Sequence, residues 1–292
     1  MTSPGPLLSS PVVSTQWLAD HLGSENLVVL DATALPYLAP GGHAGYLSGH
    51  EEYLVTGHIP GAVFADALED FADPNGPYPF TRPDAARFAA AASALGITND
   101  TTVVAYDAVV GQWAARIWWL FRSFGYDNVA VLDGGLTSWK LDGRELEVGH
   151  VQPAVGGFTV TAERPELWAD KAEVEAIVAQ DGPLLCALPP KEFTGEDGHR
   201  SRLGHIPGSL SIPAGRIVDR DTKALLPLET LRTTFAPLLE LDRVVTYCAG
   251  GIASSSDALA LTLLGHTDVA IFDGSLNEWV ADPEAPVVVT AA

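Results

Sequence analysis

Cysteine is nearly absent from this chain: Cys186 and Cys248 are the only two in 292 residues. A disulfide framework is thereby excluded as a scaffold, and neither cysteine has the neighbouring ligand spacing of a metal site. Basic residues are scarce as well, 16 Lys and Arg against 37 Asp and Glu, for a formal net charge of -21. Nucleic acid and anionic membrane surfaces both require clustered Lys and Arg, so neither is an expected partner. No apolar run approaches the roughly 18 residues of a spanning helix. Residues 1–10 also lack the basic start and apolar core of a signal peptide. We expect a cytoplasmic protein with a loose N-terminal tail. What is present, 47% hydrophobic and 18% charged residues with seven Trp, suits a globular fold with a sizeable core.

The chain reads as one unit written twice. Gly57-His58-Ile59-Pro60-Gly61 recurs as Gly204-His205-Ile206-Pro207-Gly208. Val103-Val104-Ala105-Tyr106-Asp107 recurs as Val244-Val245-Thr246-Tyr247-Cys248, and Leu132-Asp133-Gly134-Gly135-Leu136 as Phe272-Asp273-Gly274-Ser275-Leu276. Three segments in the same order at a domain-sized spacing indicate a duplication; solenoid units run to only about 20–50 residues. Within each half strands alternate with helices. Leu27–Asp31 is a strand candidate behind a helix start at Ser14-Thr15, and the Trp113–Phe124 run before Gly125 corresponds to Ala258–Leu264 before Gly265. That alternation predicts an α/β fold, a parallel sheet with helices on both faces in each half. Residues 11–146 form the first expected domain, 147–165 a Gly- and Pro-containing linker, and 166–288 the second domain.

One stretch carries chemistry. Val244–Tyr247 ends a buried strand and Ser254-Ser255-Ser256-Asp257 reads as a helix N-terminal signal, so Cys248 falls between strand end and helix start. Gly250 and Gly251 let the backbone curl so that successive amides point inward, and the helix beyond adds about half a positive charge at its first turn. A thiol in such a nest ionises more readily than a free one. Ligands in open parallel sheets bind outside the carboxyl ends of the strands, where Cys248 lies. Blander roles are expected elsewhere: Cys186 as a packing residue, His58 and His205 as turn residues, Trp139 and Trp279 as core.

With these pieces placed, the sequence resembles the tandem-domain rhodanese-like sulfurtransferases, the family of thiosulfate and 3-mercaptopyruvate sulfurtransferases, from about Pro11 to Val288. The repeated Gly-His-Ile-Pro-Gly, the Trp118-Trp119-Leu120-Phe121-Arg122 run, the Leu-Asp-Gly-Gly turn and the Cys248 loop carry the resemblance jointly. It implies two rhodanese-like domains, the first silent because Asp107 stands at the cysteine position and a carboxylate cannot accept sulfane sulfur. It further implies a cofactor-free, metal-free sulfurtransferase in which Cys248 takes sulfur from an anionic donor as a persulfide and passes it to a thiol or cyanide. The amides of Ala249, Gly250, Gly251, Ile252, Ala253 and Ser254 would stabilise the charge.

Thiosulfate-type loops carry basic residues, and mercaptopyruvate-type loops a serine, where this chain has Ala249 and Gly250, so both donors stay open. The family's Asp-x-Arg is here Cys186-Ala187-Leu188, and a further family arginine is replaced by Glu192. Arg200 and Arg202, just before Gly204-His205, are the candidates for gripping an anionic donor, with His58 as a lesser one. Two other readings compete. A cysteine phosphatase needs an arginine closing the loop, whereas this loop ends in Ala253-Ser254. A non-catalytic persulfide-carrying or redox-sensing module is the second, and multiple-turnover sulfur transfer separates it from an enzyme. The sequence sets no oligomeric state; a monomer is compatible with it.

Overall fold

A computed structural model describes residues 5–38 and 44–290. The strands are β1 (Val12–Val13), β2 (Leu27–Asp31), β3 (Ala34–Leu38), β4 (Ala44–Ser48), β5 (Val63–Phe64), β6 (Thr102–Tyr106) and β7 (Val129–Leu132), then β8 (Trp168–Ala169), β9 (Leu184–Cys186), β10 (Ser209–Ser211), β11 (Val244–Tyr247) and β12 (Val269–Phe272). The helices are α1 (Thr15–His21), α2 (His50–Val55), α3 (Ala85–Ala94), α4 (Gln112–Ser123), α5 (Gly135–Leu141), α6 (Lys171–Ala179), α7 (Pro190–Thr194), α8 (Leu228–Leu239), α9 (Ala253–Leu263) and α10 (Ser275–Trp279).

Two sheets form, ordered β1-β7-β6-β2-β5 and β10-β9-β11-β12-β8. Read from opposite ends they have the same topology, and every pairing within them is parallel. The duplication legible in the sequence is thus a duplication of fold. β6 and β11 are wholly buried, as continuous apolar strands covered on both faces must be. β3 and β4 form an antiparallel hairpin outside the repeat.

The halves are welded through α4 and α9, which pack on one another. A surface helix buries one stripe, but α4 is buried all round, with Trp113, Trp118, Trp119 and Phe121 among its buried side chains. One apolar cluster runs from Leu30 and Val103 of the first half to Leu259 and Ile271 of the second.

One local expectation changes. The Ser254–Asp257 run is no cap: α9 begins at Ala253, and all four residues lie buried in its first turns. The serine hydroxyls turn inward, Ser255 Oγ donating to the Gly251 carbonyl at 2.9 Å. The stretch read as a linker is irregular in backbone but docked. Phe158 is buried against the rings of Phe88, Phe121 and Tyr126, with centroids 5.7, 5.7 and 5.2 Å away. The Gly157 amide bonds the Ile97 carbonyl at 2.9 Å.

His58 and His205 play matching structural parts. Each Nδ1 donates to a carbonyl, Tyr53 at 2.9 Å and Phe193 at 2.7 Å, and each ring stacks on that residue's own ring. Trp139 and Trp279 are buried with their indole N–H bonded to the Glu145 and Pro286 carbonyls. Among the described residues no helix is long and apolar enough to cross a membrane.

Candidate active site

Cys248 follows β11 directly and is 3% exposed. The loop after it is pinned by the start of α10. Ser275 Oγ accepts from the amides of Cys248 and Gly251, both at 3.1 Å, and donates to the Phe272 carbonyl at 2.7 Å. The Leu276 and Asn277 amides hold the Cys248 and Ala249 carbonyls at 3.1 and 3.0 Å. Gly251 has φ +79°, and a Cβ there would stand 2.9 Å from the Asp273 carbonyl oxygen, so both backbone twist and space demand glycine. Sequence reasoning missed Ser275. Its signal was there, since the repeat has glycine at the equivalent Gly135.

Of the six loop amides singled out from sequence, Gly251 N is taken by Ser275. Those of Ala249, Gly250, Ile252, Ala253 and Ser254 have no acceptor among the described residues. The first half displays what such amides do. Asp107, at the position equivalent to Cys248, is buried with its carboxylate in the matching loop. Oδ1 accepts from Val109 N and Gly111 N at 2.8 and 2.9 Å, and Oδ2 from Trp113 N and Ala114 N at 2.9 and 3.1 Å. The repeat places Gly250, Ile252, Ser254 and Ser255 where those four donors stand. One half therefore holds its own anion; in the other, Ser255 N is taken by the Ile252 carbonyl at 3.0 Å, while the Gly250, Ile252 and Ser254 amides are open among the described residues.

Cys248 lies on a cavity of about 420 Å³ walled by both halves. Tyr46, Phe80, Val110 and Gln112 come from the first half; Leu188, Pro189, Pro213 and Arg216 come from the second. Ala249, Gly250, Ile252 and Ala253 form part of the wall, while Gly251 and Ser254 lie behind it. Arg200 and Arg202 do not line it. The Arg200 guanidinium is bound to Glu192, a wall residue, at 2.5 Å, and Arg202 is bound to the carbonyls of Asp282, Pro283 and Ala285. The guanidinium on the wall is Arg216, exposed and without a side-chain partner among the described residues. It ends the short 3₁₀ turn Ala214–Arg216, far from Cys248 in sequence, with no motif to mark it. His58 is not part of the wall.

Two buried groups near the loop have their charged forms disfavoured. Burial pushes the Cys186 thiol up to about 12, fitting a packing role. Asp257, on α9, is completely buried with no partner for either oxygen, and loss of solvation, together with the nearby Cys248, holds its carboxyl well above the usual range. Ser254 Oγ lies 3.7 Å from Cys248 Sγ. No group of three or more His, Cys, Asp or Glu among the described residues is placed to hold a metal ion.

A twice-repeated parallel α/β unit, with a cysteine at the strand-to-helix loop of one copy and a carboxylate in the other, defines a two-domain protein with one cysteine-loop site. The rhodanese-like domain family matches residues 14–142 and 171–282, and the chain belongs to that family. It is similar to thiosulfate/3-mercaptopyruvate sulfurtransferase 2 of Arabidopsis thaliana, 35% identical over 96% of this chain and 87% of that one. It is also similar to the 3-mercaptopyruvate sulfurtransferase of Escherichia coli strain K12, 32% identical over 94% and 96%. Among solved structures, SseA from Escherichia coli, described as a 3-mercaptopyruvate sulfotransferase, superposes with a TM-score of 0.77 at 30% identity, covering 91% of this chain and 99% of that one.

Two predictions concern the buried carboxyls. Asp107→Asn would set an amide N–H₂ against backbone N–H donors, so we expect a loss of about 2–4 kcal/mol in urea unfolding; a change below about 0.5 kcal/mol would show that the cradle is not structural. Asp257 in the unfolded chain ionises near about 3.9. Folded, it keeps its proton, so its contribution is complete below that value and is lost as pH rises towards the folded pKa. Asp257→Asn should accordingly show a smaller fall in melting temperature between pH 5 and pH 8 than the parent, and an equal fall would count against a buried neutral acid.

Proposed function

We propose that this protein moves sulfane sulfur from a small anionic donor, thiosulfate or 3-mercaptopyruvate, to a thiol or cyanide through a Cys248 persulfide. The observation that carries this reading is the Asp107 carboxylate in its four amide bonds. The same loop in the second half presents open donors around a cysteine, a place for negative charge on sulfur. The relatives named as sulfurtransferases across nearly the whole chain support the same assignment.

The bonds balance without a cofactor. With thiosulfate, Cys248 Sγ forms a bond to the terminal sulfur, the donor's S–S bond breaks, and sulfite leaves with the bonding pair. With 3-mercaptopyruvate the C–S bond breaks and pyruvate leaves as its enolate. The acceptor's nucleophilic atom then takes the outer sulfur, and Cys248 leaves as thiolate, which makes the cycle ping-pong. Ala249, Gly250, Ile252, Ala253 and Ser254 offer amides to the transferring charge, and Gly251 shapes the loop.

In a chain of net charge -21 an anion needs a local cation. Arg216 fills that need, with its guanidinium unpaired on the wall. Arg200 acts at one remove, holding Glu192, and Arg202 secures the chain end. The apolar wall and the cavity's size, within the range of organic-ligand pockets, leave room for a small thiol acceptor beside the loop. Both cysteines are free, which agrees with a reducing compartment and a cytoplasmic location.

Incubation with each donor should add one sulfur to Cys248 by peptide mass spectrometry, and Cys248→Ser should abolish turnover; sulfur found on Cys186 alone, or full activity without Cys248, would overturn the assignment. For Arg216→Gln we expect KM for either donor to rise ten- to a hundredfold, about 1.4 to 2.7 kcal/mol of binding, with a smaller effect on kcat. A KM within twofold of the parent would remove Arg216 from the donor site.

A further inference from the structure

The loop from Cys248 to Ser254 contains no basic residue, yet a cation lies directly behind it, supplied by the other half. Arg116 projects from α4 and is 2% exposed. Its Nη2 donates to Asp273 Oδ1 at 2.6 Å and to the Phe80 carbonyl at 2.9 Å, and its guanidinium carbon lies 4.9 Å from the centre of the Trp168 ring. The other terminal nitrogen, Nη1, is buried and has no hydrogen-bond partner. That nitrogen stands 3.2 Å from where a Gly251 Cβ would be.

Buried guanidinium nitrogens are normally bonded, because leaving one bare forfeits solvation that nothing replaces. In a medium of low polarisability a guanidinium charge acts on its neighbours more strongly than it would in water. The bare face is turned to the cysteine loop, while the bonded face is anchored to Asp273. Asp273 is itself fixed, its Oδ2 accepting from the Arg82 amide at 2.9 Å. The arrangement therefore sets the bare N–H of a guanidinium from the first half against the loop of the second, beside Asp273 Oδ1, which lies equally near the Gly251 position at 3.2 Å and balances part of the charge.

We propose that Arg116 is a positioning residue for the Cys248 loop: it seats Gly251 and supplies, from the first domain, the positive charge that the loop's own sequence lacks. The proposal rests on the sulfurtransferase reading for its bearing on turnover, but its effect on Cys248 can be read without any sulfur donor. It also gives the first half a part in the chemistry, as the owner of the cation behind the loop.

The test uses the full-length protein and two substitutions with different consequences. Arg116→Gln removes the charge; Asp273→Asn weakens the anchor and leaves the charge in place. For each, the rate of Cys248 alkylation by iodoacetamide, an uncharged electrophile, is followed by peptide mass spectrometry at pH 7, and persulfide formation is measured at saturating thiosulfate. We expect Arg116→Gln to slow both by ten- to a hundredfold, Asp273→Asn to change them by less than threefold, and Arg116→Lys to recover at least part of the loss. Equal losses in Arg116→Gln and Asp273→Asn would mean that the pair is only a clamp between domains, and that result overturns the proposal. So would unchanged alkylation in a folded Arg116→Gln protein. If Arg116→Gln fails to fold, Arg116→Met, of similar length and uncharged, carries the same test: a ten- to hundredfold slower alkylation supports the proposal, and a rate within threefold of the parent overturns it. Absence of any persulfide on the parent protein would sink the sulfurtransferase reading while leaving the alkylation comparison intact.

Discussion

Backbone amides that close a parallel strand and open a helix have no partner of their own, and at such a corner several converge on one small volume. They demand negative charge. The two halves of this protein meet that demand in opposite ways. In the first, Asp107 supplies the charge from within the chain, and the corner is finished. In the second, Cys248 stands at the same point and the amides of Gly250, Ile252 and Ser254 beside it are open among the described residues. The cavity, the pinning of the loop by Ser275 and the cation behind Gly251 all follow from keeping that second corner unfilled and in shape.

Keeping the corner in shape is where the duplication matters. α4 and α9 stand at equivalent steps of the repeat, and each is the helix that follows its half's loop. Packed against one another, they bring Arg116 behind the other half's loop and bury Asp257, the residue at the matching position of α9. A single half could not form the cavity either, since Tyr46 and Phe80 face Pro189 and Pro213 across the join. The first half is a wall of the cavity and, through Arg116 and Asp273, an anchor for the second.

Much of this was legible in the sequence, because the signals were local or repeated. The three recurring segments disclosed the duplication, and the β-branched run before Cys248 disclosed a strand end. The Ser14 cap appears as read, its hydroxyl accepting from Trp17 N at 3.1 Å. Signals that depend on tertiary packing were not legible. Three serines and an aspartate resemble a cap whenever their burial is unknown, and the docking of the Gly- and Pro-bearing stretch through Phe158 in the aromatic cluster has no local signal. Arg216 and Arg116 come to the site by folding alone. Proximity in sequence favoured Arg200 and Arg202, whose guanidiniums are occupied with Glu192 and with carbonyls near the chain end.

The filled corner of the first half has a consequence for stoichiometry. A carboxylate tethered one bond from the backbone reaches its amides at an effective concentration that no dissolved anion can match. The first half is thus a receptor permanently occupied by its own chain, closed to donor and to inhibitory anion alike. On the proposed function, such a chain carries one equivalent of sulfur, and its occupancy saturates with a single binding constant despite the doubled architecture.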